Sequence, residues 1–121
     1  MTGSIRILVV EDQPLIAMDL EDLLTSRGYA VLGPKSTVAE ALDCLGRETP
    51  DAALVDVDLR GERSYEVGAE LRRRGVPFAF ATGTVGCGDL PAEFAEIPVI
   101  RKPWCVDDLL DFVRTQTRQG R

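Results

Sequence analysis

The chain contains no histidine. That absence removes histidine-dependent catalytic triads and histidine metal sites, so any reaction passing through a histidine must take it from a partner. Cysteine is scarce. Cys44, Cys87 and Cys105 are odd in number and show no CxxC spacing, which indicates neither a disulfide framework nor a zinc knuckle and leaves three free thiols. No apolar run approaches the ~20 residues that span a bilayer. The opening Met1-Thr2-Gly3-Ser4 has no basic flank and leads into no signal-peptide core. A cytoplasmic protein without a membrane partner is therefore expected. Basic residues are outnumbered, 14 Lys and Arg against 20 Asp and Glu, for a net charge of −6. Such a surface repels nucleic acid and would be partly neutralised by a bound cation.

What remains is ordinary for a globular chain: 121 residues, 45% hydrophobic and 28% charged. The length suits one domain over 1–121, with a core of about 4–117, and gives enough chain for a real hydrophobic interior. No repeat, low-complexity segment or interdomain linker interrupts it, and no room is expected for a DNA-binding or catalytic output module.

Four short apolar runs organise the chain. Ile5 to Val10 ends on Glu11-Asp12, Asp51 to Val55 on Asp56, Val76 to Ala81 on Thr82, and Ile97 to Ile100 near Lys102-Pro103. Tyr29 to Gly33 reads as a fifth, shorter strand. Such runs alternating with helix-length segments predict parallel strands, whose C-terminal ends share one edge of the sheet. Ligands in open α/β sheets bind at that edge. Several acids, one hydroxyl and one lysine converge there, a set suited to a divalent cation and a phosphoryl group.

Between the strands, Pro14 suits the first turn of a helix that carries Ile16, Leu20, Leu23 and Leu24 and stops at Gly28. Thr37 and Glu40 form a capping box for a second helix, with Val38, Ala41, Leu42 and Leu45 as its buried stripe and Gly46 as its end. A third helix is expected from about Arg63 to Arg74, with Gly68 interrupting its stripe and Arg72-Arg73-Arg74 as a solvated last turn. Gly83, Gly86, Gly88 and Pro91 predict a short, late or mobile fourth helix. The last helix carries Val106, Leu109, Leu110 and Val113, with a frayed tail from Thr115.

Taken together, Glu11-Asp12, Asp56, Thr82-Gly83 and Lys102-Pro103 resemble the motif residues of a response-regulator receiver domain, in order and at the right strand ends. The resemblance covers roughly residues 4–117. It implies an α/β, flavodoxin-like (βα)5 doubly wound parallel sheet with strand order 2-1-3-4-5 and five flanking helices. The string Pro77-Phe78-Ala79-Phe80-Ala81-Thr82-Gly83 further resembles the FATGUY subgroup of stand-alone receivers, associated with HWE and related histidine kinases. Thr84-Val85-Gly86 stands where that subgroup usually has a tyrosine. Val99 occupies the position, three residues before Lys102, where many receivers place a switching Tyr or Phe. A switch through reordering of the glycine-rich segment 83–91 is expected instead.

Carried over residue by residue, the resemblance implies that Asp56 accepts a phosphoryl group from the phosphohistidine of a sensor histidine kinase or phosphotransfer protein. Asp12 would bind Mg²⁺ directly, Glu11 through water or by orienting ligands, and Asp58 through its backbone carbonyl. Lys102 would pair with Asp56 and then with a phosphoryl oxygen. Thr82 would donate its hydroxyl, Gly83 would leave space, and Asp58 and Thr84 would tune hydrolysis. The protein would be a phosphoacceptor rather than an enzyme, beyond self-catalysed phosphorylation and dephosphorylation, signalling through a protein target or a phosphorelay. Leu15 and Met18 lie off the buried stripe of the first helix, and Trp104 borders the same face, which suggests a kinase-docking surface or partial core burial.

Three other readings compete with this one. Asp56-Val57-Asp58 resembles the DxD nucleophile of haloacid-dehalogenase-type phosphatases, but that motif follows the first strand of a larger, capped domain. Ala81-Thr82-Gly83-Thr84 faintly resembles a flavodoxin phosphate loop, which belongs where this chain has Glu11-Asp12. A pseudo-receiver that binds partners without phosphorylation is kept open by Val99.

Overall fold

The computed structural model describes residues 5–83, 90–102 and 104–117. Along the chain lie β1 (Arg6–Val10), α1 (Pro14–Ser26), β2 (Ala30–Lys35), α2 (Val38–Arg47), β3 (Ala52–Asp56), β4 (Asp58–Leu59) and β5 (Glu62–Arg63). They are followed by α3 (Tyr65–Arg73), β6 (Phe78–Thr82), a 3₁₀ turn (Ala92–Phe94), β7 (Val99–Arg101) and α4 (Val106–Thr117). Five strands pair in parallel in the order β2-β1-β3-β6-β7. Counting only these strands along the chain, the order is 2-1-3-4-5, the doubly wound arrangement the resemblance implies.

Helices cover both faces, so the central strands are apolar without interruption. Successive side chains still point to opposite faces. Leu8 and Val10 of β1, Ala53 and Val55 of β3, and Phe78 and Phe80 of β6 join the core beneath α2 and α3. Ile7, Val9, Leu54 and Ala79 join the core beneath α1 and α4.

Pro14 opens α1, and Gly28, at φ 92°, follows its end. Thr37 caps α2 by accepting from the Glu40 N–H. The Glu40 carboxylate reaches back to the N–H and hydroxyl of Ser36 rather than to Thr37, so the box is offset by one residue. The helix also runs one residue past Gly46.

Helix α3 starts two residues later than the sequence predicts, because Glu62 and Arg63 pair antiparallel with Asp58 and Leu59. Arg60 and Gly61 form the turn, both with positive φ, 55° and 84°, as a two-residue hairpin turn demands. Gly68 corrects a second expectation. It does not interrupt the stripe of α3 but is its point of closest approach. A Cβ there would lie 2.8 Å from Phe80 Cζ and 3.3 Å from the rings of Phe78 and Phe94. Gly68→Ala is therefore expected to destabilise the fold by about 1–3 kcal/mol, overpacking outweighing the helix propensity of alanine. Urea denaturation checks this; an unchanged or raised midpoint contradicts it.

The five helices implied by the resemblance are not all present among the described residues, which contain four α-helices. In the fourth crossover lies the single turn Ala92–Phe94, entered at Pro91. Arg72 fastens it to α3. Its guanidinium donates to the Glu93 carbonyl at 2.7 Å, pairs with Glu96 at 2.6 Å, and sits 5.4 Å from the centroid of the Phe94 ring. Most of the glycine-rich segment assigned a switching role, Thr84 to Asp89, lies outside the described residues. At the other end, α4 extends through Thr117, whose buried hydroxyl donates to the Val113 carbonyl, so fraying does not begin at Thr115. Among the described residues no helix is long and apolar enough to cross a membrane.

Candidate functional site

Parallel register brings the strand ends together. Val10 is level with Val55, Asp56 with Ala81, and Thr82 with Arg101. The residues that follow β1 and β7, Glu11-Asp12 and Lys102, therefore flank Asp56. Lys102 is tied to β6 through its N–H, which donates to the Thr82 carbonyl at 2.9 Å.

Asp56 is 3% exposed. Its Oδ2 accepts from Lys102 Nζ at 2.9 Å and its Oδ1 from the Asp58 N–H at 3.2 Å. Its backbone carbonyl accepts from the hydroxyl of fully buried Ser64 at 2.6 Å. Glu11 is 1% exposed and accepts from three donors: Trp104 Nε1 on Oε1 at 3.0 Å, the Gln13 N–H on Oε2 at 3.1 Å, and Lys102 Nζ on Oε2 at 3.4 Å; as an ion pair, Nζ also lies 3.2 Å from Oε1. Asp12 Oδ2 accepts the Arg60 N–H at 3.0 Å.

Glu11, Asp12 and Asp56 each offer one carboxylate oxygen, and the three oxygens lie within 4.8 Å of one another. Among the described residues Lys102 is the one cation hydrogen-bonded to this cluster, through Glu11 and Asp56, so the three carboxylates keep excess negative charge and hard oxygen donors. That donor set fits Mg²⁺. Asp58 does not add its side chain: its carboxylate is outside this cluster, at the exposed first position of β4. Thr82, Gly83, Asp58, Arg60 and Lys102 line a cavity of about 540 Å³ beside Asp56. Among the described residues a Cβ at Gly83 would meet only the Lys102 Cβ, at 3.9 Å, which leaves room beside the lysine. Val99, on β7 opposite Phe80, is partly buried and carries no ring.

Burial pushes the Asp56 carboxyl up to about 6, and the neighbouring Glu11 charge adds to the rise, against the lowering effect of Lys102. Burial pulls the Lys102 ammonium down, but its hydrogen bond to Asp56 and the surrounding acids more than reverse this and raise it. The lysine therefore stays cationic while its partner is poised between ionised and neutral.

The structure brings Glu11, Asp12, Asp56, Thr82 and Lys102 together at one edge, with Asp58 beside them. Sequence reasoning missed Ser64, the amide of Arg60 and the bond from Trp104 to Glu11. Ser64 has no periodic or motif signal. Trp104 has one, its place directly after Lys102-Pro103, but that position does not reveal where the polar end of its ring points.

The response regulator receiver domain family matches residues 7–114 of this chain. The transcriptional regulatory protein TcrA of Mycobacterium tuberculosis is 33% identical over 125 residues, covering 98% of this chain and 48% of TcrA. The chain spans about half the length of the curated relatives it matches, 58% for one and 48% for another. SdrG from Sphingomonas melonis Fr1 superposes with a TM-score of 0.80 at 39% identity, over 96% of this chain and 98% of SdrG. The receiver domain of the sensor histidine kinase PA1611 from Pseudomonas aeruginosa PAO1 gives a TM-score of 0.81 at 27% identity, over 98% of this chain and 100% of that one; its structure has a magnesium ion coordinated in the active site cleft.

Proposed function

Because this chain belongs to the response regulator receiver domain family, we propose that it accepts a phosphoryl group from the phosphohistidine of a sensor histidine kinase or phosphotransfer protein onto Asp56. The observation that carries this reading is the Asp56 carboxylate itself: buried at a strand end, 2.9 Å from Lys102 Nζ and clustered with Glu11 and Asp12. An Asp56 oxygen attacks phosphorus, an O–P bond forms, and the N–P bond to the partner's histidine breaks. Asp12 and Asp56 would hold Mg²⁺ directly, with Glu11 acting through water and Asp58 through its carbonyl. When bound, the cation neutralises charge on the carboxylates and the transferring group. Lys102 moves from Asp56 to a phosphoryl oxygen, Thr82 donates its hydroxyl to another, and Gly83 admits the group. The donor is already activated, so positioning and charge neutralisation suffice.

The partner surface is read from α1. Leu15 is 77% and Met18 56% exposed, beside a groove of about 250 Å³ lined by Ile16, Leu23, Trp104 and Val106. Exposed apolar side chains next to the site suit the helices of a kinase or phosphotransfer bundle. The domain then acts as a cytoplasmic regulator that passes its state to a protein target or along a phosphorelay. It is a phosphoacceptor, with no substrate turned over. Incubation with acetyl phosphate or a phosphorylated kinase core in Mg²⁺ is expected to give one hydroxylamine-sensitive acyl phosphate per chain. No such label, or full labelling in excess EDTA, overturns the reading.

A further inference from the structure

We propose that Trp104 is a positioning residue for this site: its indole N–H fixes the Glu11 carboxylate, and its ring links that carboxylate to the groove between α1 and α4. The inference rests on the receiver chemistry proposed for Asp56. Glu11 is 1% exposed, so water is a poor substitute for any donor it loses. Two of its donors, the indole N–H and the Gln13 N–H, are neutral. They orient the carboxylate without cancelling its charge, which stays available to a cation. The third donor, Lys102, does cancel charge. Lys102 lies nearer Asp56, at 2.9 Å, than Glu11, at 3.2 Å. The indole donates to Oε1, which also lies 3.2 Å from Lys102 Nζ, while the lysine's own hydrogen bond goes to Oε2 at 3.4 Å; donation to Oε1 therefore weakens the claim of Glu11 on the lysine. Without the indole, Oε1 faces only the charge of the lysine, which is drawn from Asp56 toward Glu11. Partners of metal-site carboxylates commonly set affinity in this way.

The same ring lines the groove with Ile16, Leu20, Leu23, Val106 and Leu109. An apolar side chain entering that groove meets the ring whose far edge holds Glu11. Trp104 thus places the docking surface one side chain from the acid cluster.

The test is a double-mutant cycle on Mg²⁺ binding, followed by backbone amide shifts in the wild type, Trp104→Phe, Glu11→Ala and the double variant. Trp104→Phe keeps an aromatic ring and removes the N–H. It is expected to weaken Mg²⁺ binding roughly tenfold, and the same change in the Glu11→Ala background to have little effect. No loss, or an equal loss in both backgrounds, assigns Trp104 to packing alone and overturns the proposal. Should Trp104→Phe fail to fold, the indole proton of the intact protein carries the test. Its exchange with solvent is expected to be slow in the wild type and fast in Glu11→Ala; fast exchange in both overturns the proposal. Wild-type protein that shows no saturable Mg²⁺ binding overturns the receiver chemistry and this inference with it, whereas saturable binding with no coupling in the cycle overturns this inference alone.

Discussion

Asp56→Asn is expected to abolish acyl-phosphate label entirely and, in metal-free buffer, to make the protein more stable at pH 7 than the wild type. The first effect follows from chemistry, since an amide oxygen is no substitute for the carboxylate nucleophile. The second follows from linkage. In the folded protein the Asp56 carboxyl is raised from 3.8 to about 6, chiefly by burial. The folded state therefore binds a proton more readily than the unfolded chain does across that window. The stability this proton contributes is complete below about pH 4 and is lost as pH rises through about 6. Asparagine carries no such proton and escapes the loss. The variant should gain about 1–3 kcal/mol at pH 7, the upper end corresponding to two pKa units, and the gain should vanish near pH 4. Urea denaturation at both pH values in EDTA measures it. A variant less stable than wild type at pH 7, or a gap that widens on acidification, would falsify the electrostatic account while leaving the labelling result to stand alone.

Lys102→Met should produce the opposite stability change. The lysine is the one cation hydrogen-bonded to Asp56 and Glu11 among the described residues, and its side chain is 12% exposed. Removing one partner of a buried ion pair costs about 3–5 kcal/mol when no relief exists. Here the open cavity and the readiness of Asp56 to take a proton give relief, so about 2–4 kcal/mol is expected at pH 7. The loss should shrink as the pH is lowered toward 6, because without Lys102 to lower it the Asp56 carboxyl takes a proton at higher pH than in the wild type, which removes the charge left without its counter-ion. Mg²⁺ should recover part of it, since a ligand that binds only the folded state stabilises by mass action. The pair of measurements, with and without Mg²⁺, separates a charge deficit from a packing defect. A methionine variant with wild-type stability in EDTA at pH 7 contradicts the argument.

Most of the sheet was legible because its signals are redundant. Four of the five strands are apolar runs of the right length that end on or beside a residue with chemistry, so Glu11, Asp12, Asp56, Thr82 and Lys102 could be placed at one edge from the sequence. The departures have local causes. The hairpin formed by Asp58–Leu59 and Glu62–Arg63 is too short to carry alternation, and its only mark is Gly61 after a residue that rarely adopts positive φ. Gly68 looked like a weakness in a helix, because propensity treats glycine as a breaker; the tight packing of Phe78, Phe80 and Phe94 against it is a tertiary fact that no window of sequence contains. The bonds from Ser64 to Asp56 and from Trp104 to Glu11 span 8 and 93 positions. Neither separation corresponds to a periodicity, so neither could be read from spacing.

The sheet also divides the molecule optically. The chain has one tryptophan, and Trp104 packs with the core beneath α1 and α4. Tyr65, Phe78, Phe80 and Phe94 cluster on the other side, with ring centroids 5.2–6.3 Å apart. Indole emission therefore reports the acid cluster and the α1–α4 surface directly. It is separated from rearrangements of α2, α3 and the Ala92–Phe94 turn by the thickness of the sheet. A partner that engages the α2–α3 side would leave the emission of Trp104 nearly unchanged, and an experiment relying on that signal alone would score it as no interaction.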